Sequence, residues 1–321
     1  MAGEVDFISD DWNRIDDADG WNHALAVMNG HPLQSAAWGE GRRKCDGLES
    51  FYLQLSRDGR PCGMARVETR NLPLFGKVAW VPRGPVFAAG SEQDLQASLC
   101  LKLKCLGFVL AIFDPYRQTN VPSQIRTIWI DLTIGAEALK KRIDKRWMYG
   151  VRRAAREGVE VVRATTADEV AEFFRMCAQI SEDKGFELPG SEALMRKLLF
   201  APQNDGESMQ LFLAKHDGKI GAGAFVARLG DHLHYIWGGS DRELSRQRVG
   251  EAVQWAVLEW GMAEGCSRYD LEGIDPANNP GVYAFKRRMG GEEVVLAGKH
   301  AIPLSLAGRL ALLAGRLTGR I

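Results

Sequence analysis

Apolar and polar residues alternate along two long stretches of the chain, which begin at Phe51 and at Leu211. Each stretch reads as an apolar strand, an Asp-Gly turn followed by a basic residue, a second strand with glycine near its start, and a third strand with aromatic residues. Because alternation with a period of two is typical of strands with one buried face, both stretches predict antiparallel hairpins.

The elements around the two hairpins also match. Apolar residues at helical spacing follow each hairpin, and each predicted helix leads into a short strand that ends in an acid, Asp114 or Asp270. Helical spacing also precedes each hairpin. The helices predicted in this way are Trp21–Asn29, Ser35–Lys44, Glu92–Leu106, Asp168–Lys184, Ser191–Phe200 and Arg248–Glu264. The recurrence of the whole unit predicts a duplicated α/β domain.

The segment between the two copies predicts a strand that ends at Leu132 and then one long basic helix, Ala136–Glu157, which stops at Gly158. We therefore expect a first domain over residues 1–135, completed by residues 292–321, and a second domain over residues 159–291. Residues 136–158 are expected to form a basic connecting helix. The predicted fold class is α/β, with two tandem domains built from mixed sheets flanked by helices.

Composition narrows the function only a little. The 321 residues are 45% hydrophobic and 26% charged, which is ordinary for a globular protein of two domains. No apolar run approaches the length of a membrane span, and the acidic N-terminus is unlike a signal peptide, so we expect a cytoplasmic protein. The six cysteines form no Cys-x-x-Cys pair and have no histidine at ligand spacing, so we expect no disulfide framework and no metal site.

The charges balance over the chain but not along it. The 41 basic and 41 acidic side chains cancel, whereas the segment KKRIDKRWMYGVRRAAR holds only one acid, Asp144, among its basic residues. Arginines on one helix can follow phosphates without reading sequence, so we predict tRNA or other polyanion contacts at Arg146, Arg152, Arg153 and Arg156. The alternative is a solvated basic face. Within this segment, Trp147 and Tyr149 either stack on bases or, as we favour, seal a domain interface.

The C-terminal tail reads AIPLSLAGRLALLAGRLTGRI and predicts an amphipathic helix. Helical spacing gathers Arg309, Arg316 and Arg320 on one face, with leucines and alanines on the other. We expect such a tail to dock on the core of the protein. The alternative is a peripheral membrane contact, which would place the protein at the inner face of the membrane.

The loop before the second repeated helix, from Arg246 to Ala252, satisfies a Gln-x-x-Gly-x-Ala pattern through Gln247, Gly250 and Ala252. The order of elements, with a glycine-bearing loop between an aromatic strand and a helix, resembles the acyltransferase folds of the GNAT type. Backbone N–H groups at such a helix start can hold a pyrophosphate. An ordinary solvated turn is the alternative.

Short motifs in a fixed order cover nearly the whole chain. They read HPLQSAAWGEGRRK, IFDP, TIWIDL followed by KRWMYGVRRAAREGVEV, YDLEGI, VYAFKRRMGG and GKHAIPLS. In this order they resemble the FemABX family of peptidyl aminoacyltransferases. The resemblance implies tandem GNAT-like domains that transfer an amino acid from aminoacyl-tRNA to an amine, usually on a cell-wall peptide precursor, without a further cofactor.

The resemblance also implies roles for individual residues. Lys286 corresponds to the functional lysine of the family, and Asp114 to the acid near the acceptor amine. Trp38 and Arg42 share a helical face, and Arg42 falls where family members without a coiled-coil arm place a phosphate-binding cation. Without the resemblance, these residues would be a surface lysine, an acid that caps an Asp-Pro turn, and a solvated arginine.

Four further residues are expected to join Lys286 in one wall of the transfer site, as substrate-binding groups: Asp270, Glu272, Tyr283 and Phe285. Amine attack on an activated ester creates an oxyanion and expels an alkoxide, so such a site needs a cation near the oxyanion and a source of protons. A lysine directly after a loop, held behind an aromatic pair, suits that requirement.

Two departures from the family pattern leave the acceptor open. Members that act on nucleotide-linked cell-wall precursors carry a phosphate-binding arginine where this chain reads Glu187-Leu188-Pro189. The Gly-Gly of the family is Glu272-Gly273 here, and the carboxylate of Glu272 is expected to orient Lys286, to bind an acceptor ammonium, or to face solvent. The acceptor is therefore either a peptidoglycan-precursor peptide or a small-molecule amine.

Three functions follow from these observations. The leading hypothesis is aminoacyl transfer from aminoacyl-tRNA to an amine, which forms an amide bond. The second is an N-acyltransferase that uses acyl-CoA bound at the Gln247–Ala252 loop. The third is a non-catalytic scaffold that binds a lipid or a protein partner.

Overall fold

The computed structural model describes residues 11–88, 92–185, 188, 190–202 and 206–317. The helices are α1 Ala18–Val27, α2 Ala36–Asp46, α3 Glu92–Cys105, α4 Gly135–Arg142, α5 Lys145–Arg156, α6 Ala167–Lys184, α7 Glu192–Leu199, α8 Val249–Ala263, α9 Pro280–Arg287 and α10 Leu306–Leu317. The strands are β1 Asn13–Ile15, β2 Ser50–Arg57, β3 Arg60–Leu72, β4 Gly76–Pro82, β5 Val86–Phe87, β6 Phe108–Asp114, β7 Arg126–Asp131, β8 Glu160–Arg163, β9 Glu207–His216, β10 Lys219–Leu229, β11 His232–Ser240, β12 Arg268–Asp270, β13 Glu292–Val295 and β14 His300–Pro303.

The first of two compact units is built on a mixed sheet. Its described strands run in the order β1-β2-β3-β4-β6-β14, and β5 also pairs with β3. Strands β2 and β3 form an antiparallel hairpin around Asp58-Gly59, where both residues have positive φ, as a tight hairpin turn requires. Strand β6 is parallel to β4, and α3 connects them. Alternate residues of β2, β3, β4 and β6 pack with α3 in one hydrophobic core.

The second unit repeats this arrangement. Its described strands run in the order β13-β7-β12-β11-β10-β9-β8. Strands β9 and β10 form a hairpin around Asp217-Gly218, again with positive φ at both residues. Strand β12 is parallel to β11 and follows α8, as β6 follows α3. The predicted fold class, with repeated mixed sheets and flanking helices, is confirmed.

The predicted boundaries of the domains need correction. Residues 117–135 and 292–297 lie in the second unit, because β7 pairs with β12 and with β13 in the second sheet. The first unit ends at residue 116 and is completed from residue 298 onward, where β14 adds to the edge of β6. Each unit therefore includes at least one strand that the order of the chain alone would assign to the other.

The basic connecting helix is two helices and belongs to the second unit. Asp144 separates α4 from α5, and its side chain accepts hydrogen bonds from the backbone N–H groups of Arg146 and Trp147. This N-cap satisfies donors at the start of α5 that have no partner within the helix. The prediction of one continuous helix is wrong because it overlooked Asp144 as a helix start.

Helix α10 packs on β6 and β14 of the first unit through small residues. A Cβ atom added at Gly308 would clash with the carbonyl oxygen of Val109, and Ala311 is buried. Leu306, Leu310 and Leu313, which were expected to dock, are exposed instead, because the helix lies close to the sheet through glycine and alanine. Arg309 is exposed, and Arg320 lies outside the described residues.

Candidate active site

Lys286 lies in the last turn of α9, and its side chain is buried in the second unit. Its Nζ donates hydrogen bonds to the backbone carbonyls of Gly273, at 2.9 Å, and Glu272, at 3.4 Å. The ring of Tyr235 faces the ammonium group, with its centroid 5.6 Å from Nζ. Two of the three N–H donors are therefore used, and the third has no hydrogen-bond partner among the described residues.

The environment of Lys286 shifts its titration toward neutral pH. Burial lowers the pKa of Lys286 from 10.5 to about 8, although the carboxylates of Glu272 and Asp270 act in the opposite direction. A lysine with a pKa of about 8 changes its charge just above neutral pH, where an ordinary lysine stays protonated. Its position and its pKa both suit a role in proton transfer or in stabilising negative charge.

Asp270 ends β12 and is fully buried. Its carboxylate accepts hydrogen bonds from the Thr127 hydroxyl, from the indole N–H of Trp129 at 2.8 Å, and from the backbone N–H of Glu272 at 2.7 Å. Two of these donors come from β7, which lies beside β12. The carboxylate thus fixes the start of the loop whose carbonyls hold Lys286.

Glu272 occupies a left-handed backbone conformation, with φ of 57°. This conformation is unfavourable for a residue with a Cβ atom and costs nothing extra for glycine. The carboxylate of Glu272 lies 3.0 Å from Nδ1 of His234, which is buried on β11. Glu272 is therefore a functional candidate. It keeps a side chain at a strained backbone position, contacts a buried histidine, and lies next to a residue whose carbonyl binds Lys286.

The aromatic pair on α9 does not stay together. Phe285 packs on Trp147, with ring centroids 5.9 Å apart. Tyr283 instead donates a hydrogen bond from its hydroxyl to Glu293, at 2.6 Å, and this bond raises the pKa of Tyr283. The aromatic ring found facing Lys286 is that of Tyr235.

The loop with the Gln-x-x-Gly-x-Ala pattern leads into α8. Arg248 has positive φ and provides no side-chain cap for the helix. An added Cβ at Gly250 would approach only Phe285, at 3.7 Å, so the backbone at this turn is open. Glu251 lies in the first turn, where its carboxylate pairs with Arg248 at 3.2 Å. The dipole of a helix stabilises an anion bound at its N-terminus. At the start of α8, the acidic side chain of Glu251 occupies that place.

Helix α5 presents the predicted basic face to solvent. Arg146, Arg152 and Arg156 are exposed, Arg153 pairs with Glu157 at 2.6 Å, and Tyr149 is half exposed beneath the guanidinium of Arg156. The expectation for Trp147 needs correction, because its ring belongs to the hydrophobic core of the second unit itself.

The first unit holds the remaining predicted residues. Trp38 is buried on α2, and Arg42 lies one turn further along, with its Nε 3.6 Å from Glu68. Glu68 and Arg66 are both buried on β3, where their side chains pair at 3.0 Å. Asp114 ends β6 at the carboxyl edge of the first sheet, as the sequence predicted. Glu187 and Pro189 of the departure from the family pattern lie outside the described residues.

Comparison with known proteins agrees with this fold. Residues 141–287 match the family model described as an acetyltransferase (GNAT) domain. A UDP-N-acetylmuramoylpentapeptide-lysine N(6)-alanyltransferase from Weissella viridescens is 27% identical over 137 residues, which are 42% of this chain and 40% of that relative. The match thus spans well under half of the length of the curated relative.

Solved structures extend the likeness over most of the chain. The crystal structure of FemX superposes with a TM-score of 0.77 and 16% identity, over 94% of this chain and 99% of FemX. The resemblance to the FemABX family is confirmed. L-PGS from Bacillus licheniformis has a TM-score of 0.59 at 16% identity, with 95% and 98% of the two chains covered. A tandem GNAT protein from the clavulanic acid biosynthesis pathway gives 0.51 at 14% identity, with 92% and 98% covered.

In this FemABX-like fold, two residues that contact the candidate site were not predicted from the sequence. His234 and Tyr235 lie on β11 and contact Glu272 and Lys286, respectively. In the strand HLHY, His232 and His234 alternate with Leu233, and this alternation is the signal that marks the face of β11 on which His234 lies. Glu68 was missed in the same way, although Arg66 and Glu68 share one face of β3.

Proposed function

We propose that the protein transfers an aminoacyl group from aminoacyl-tRNA to an amine and forms an amide bond. The observation that carries this proposal is the buried Lys286, held by two carbonyls next to carboxylates, with its pKa lowered to about 8. Its place in a GNAT-like second unit, and the similarity to an alanyltransferase, favour acyl transfer over other reactions of a buried lysine.

In the proposed reaction, the neutral acceptor amine attacks the ester carbonyl of the aminoacyl group. A C–N bond forms, the C–O bond to the tRNA ribose breaks, and the proton released by the amine ends on the ribose oxygen that leaves. The remaining N–H donor of Lys286 stabilises the oxyanion that forms between these two steps. Asp114, by its resemblance to the acid of the family, is the proposed partner of the acceptor amine.

We propose that the carboxylate of Glu272 binds the positively charged amino group of the acceptor. The carboxylate is fixed by His234, and the loop that carries it is fixed by Asp270. A carboxylate attracts the protonated form of a primary amine, such as a lysine side chain, and holds it until it loses its proton. Asp270 serves as a positioning residue in this scheme, and Tyr283 and Phe285 shape the adjoining surface of α9.

Replacing Glu272 with glycine should separate recognition from folding. Glycine removes the strain of the positive φ, so the melting temperature should stay equal or rise. Loss of the charged contact should raise the KM for a lysine-bearing acceptor peptide by about 10- to 100-fold, with a smaller change in kcat. Glu272→Gln is the control, because it retains a hydrogen-bonding side chain without the charge. An unchanged KM in both variants would leave Glu272 without a role in acceptor binding.

The donor is proposed to contact the basic face of α5, where exposed arginines flank Tyr149. Arginines of this kind bind phosphates through charge, so tRNA binding should weaken steeply with salt. In the triple variant Arg146→Ala, Arg152→Ala, Arg156→Ala, we expect the slope of log affinity against log salt to fall by about 2 to 3. The control removes three exposed cations from the first unit through Arg57→Ala, Arg60→Ala and Lys77→Ala. An equal loss of slope in the control would contradict a specific site on α5.

An acyl-CoA-dependent N-acyltransferase is the second candidate, and the match to an acetyltransferase (GNAT) domain over residues 141–287 is what favours it. That match includes Gln247, Gly250 and Ala252. Titration with coenzyme A and with a charged tRNA pool distinguishes the two donors. Saturable coenzyme A binding that Gly250→Glu abolishes, without tRNA binding, would replace our leading proposal. No binding of either donor would favour the scaffold hypothesis.

The setting of the reaction is also proposed. Because the proposed donor is aminoacyl-tRNA, we place the protein in the cytoplasm. The acceptor is either a peptidoglycan-precursor peptide or a small-molecule amine. We further propose that the protein works at the inner face of the membrane through its C-terminal segment. Trp38 and Arg42 are proposed to bind the acceptor in the first unit.

A further inference from the structure

Helix α10 has an unusual orientation for an amphipathic helix. Its small residues Gly308 and Ala311 face the sheet of the first unit, whereas Leu306, Leu310 and Leu313 are 76%, 60% and 56% exposed. Spacings of four and three residues place these leucines on one side of the helix. The result is an apolar stripe that faces away from the core to which the helix is attached.

The first unit also has an apolar groove, whose last lining residue comes two residues before the stripe in the sequence. Between α3 and β14 the first unit has a groove of about 580 Å³, whose lining includes Cys100, Leu101 and Ile302. Leu101 is itself 65% exposed, and Leu304, which also lines the groove, comes two residues before the first leucine of the stripe. We call the leucine stripe of α10 and this groove, which the chain links at residues 304–306, the leucine face. An exposed apolar surface of this extent marks an interaction site.

The charges around the leucine face select the partner. No Asp or Glu follows Glu293 in the sequence, whereas Lys299, Arg309, Arg316 and Arg320 do. Arg309 is exposed beside the stripe, and Lys104 lines the groove. Leucines flanked by cations such as Arg309 and Lys104 fit a surface that is apolar inside and negatively charged outside, as an anionic bilayer is.

We propose that the leucine face binds the surface of an anionic lipid bilayer. The stripe enters the boundary between headgroups and acyl chains, and the basic side chains contact the headgroups. None of the helices in the described ranges is long and apolar enough to cross a membrane. The proposal rests on the position at the membrane proposed above, and it is tested separately from the transfer reaction because vesicle binding is measured without donor or acceptor.

The test is co-sedimentation of the full chain with vesicles. One set contains phosphatidylcholine alone, and the other contains phosphatidylcholine with about one third phosphatidylglycerol. We expect binding to the anionic vesicles, weakened by salt, and weaker binding to the neutral ones. The variant Leu306→Ser, Leu310→Ser, Leu313→Ser should lower the partition coefficient on the order of 100-fold, since each exposed leucine contributes through its apolar area.

The matched control removes three exposed apolar side chains from other places, through Val27→Ser, Leu74→Ser and Val121→Ser. These changes should leave vesicle binding unaltered. Light scattering of both variants measures the oligomeric state in parallel. Absence of binding to anionic vesicles, or equal binding by the leucine variant and the wild type, overturns the proposal. A dimer that the leucine variant dissociates, without vesicle binding, assigns the face to a second copy of the chain and overturns it as well.

Discussion

Replacement of Lys286 with methionine should abolish aminoacyl transfer while leaving the protein at least as stable as the wild type. Loss of a donor that stabilises an oxyanion lowers kcat by about 100- to 1000-fold. Methionine has a similar length and no charge, so it fits the buried position without the cost of desolvation. Single-turnover transfer from charged tRNA measures the effect.

The stability of the same variant depends on pH in a defined direction. The folded-state pKa of Lys286, about 8, lies below its ordinary value of 10.5, so the unfolded chain binds the proton more tightly. The cost of burying the charge is present in full below pH 8 and disappears as the pH rises toward 10.5. We therefore expect Lys286→Met to stabilise the protein by about 1 to 3 kcal/mol at pH 7, and by less at pH 10.

Arg288→Met provides the control for this prediction. Arg288 caps the same helix, carries the same charge and is exposed, so its loss should change neither transfer nor the pH dependence of stability by much. Wild-type turnover by Lys286→Met would remove Lys286 from the mechanism. A folded but less stable variant would show that the two carbonyl contacts stabilise the loop by more than burial of the charge costs.

The second large effect is expected in the first unit, at Glu68. This carboxylate is buried and pairs with Arg66, Arg42 and Arg70, at 3.0, 3.6 and 3.2 Å. Glu68→Gln would leave the buried guanidinium of Arg66 without its counter-charge, which costs about 3 to 5 kcal/mol. We expect urea unfolding to detect this loss in the transition of the first unit.

Acid should weaken the same cluster. Burial raises the pKa of Glu68, but the guanidinium groups, with Arg66 foremost, outweigh burial and hold it below 4.5. The stabilisation is therefore present above pH 4.5 and is lost as the pH falls through the folded-state pKa. Arg70→Gln is the control, because Arg70 is nearly half exposed and its pairing should contribute no more than about 1 kcal/mol. Equal losses for the Glu68 and Arg70 variants would contradict the assignment of Glu68 as the centre of the cluster.

Much of the fold could be predicted because its signals are local. The Asp-Gly pairs at residues 58–59 and 217–218 marked both hairpins, and the strands predicted to end at Asp114 and Asp270 do end there. The sheets that β7 and β14 join could not be predicted from the sequence in the same way. Which sheet a strand joins depends on contacts between distant parts of the chain, and an apolar strand fits the edge of either sheet.

The sequence grouped Lys286 and Glu272 in one candidate site, and their roles stay predictions; the physical state of these side chains could not be read from it. Motifs identified Lys286 and Glu272, whereas the lowered pKa of Lys286 depends on burial, which a sequence does not state. The strain at Glu272 is likewise a property of the folded loop. His234 and Tyr235 escaped notice because their strand lies outside the family motifs, and their contacts with the site follow only from the pairing of β11 with β12.

The order in which the chain supplies strands to the two sheets also has a consequence for its synthesis. A ribosome makes every described strand of the second sheet before it makes β14, which completes the edge of β6. The edge of β6 therefore stays unpaired throughout the synthesis of residues 117–297, which form most of the second unit. We expect the edge of β6 in the nascent chain to need protection until α10 has left the ribosome and packs against it. Either a chaperone covers this edge, or the first unit folds only after β14 and α10 are available.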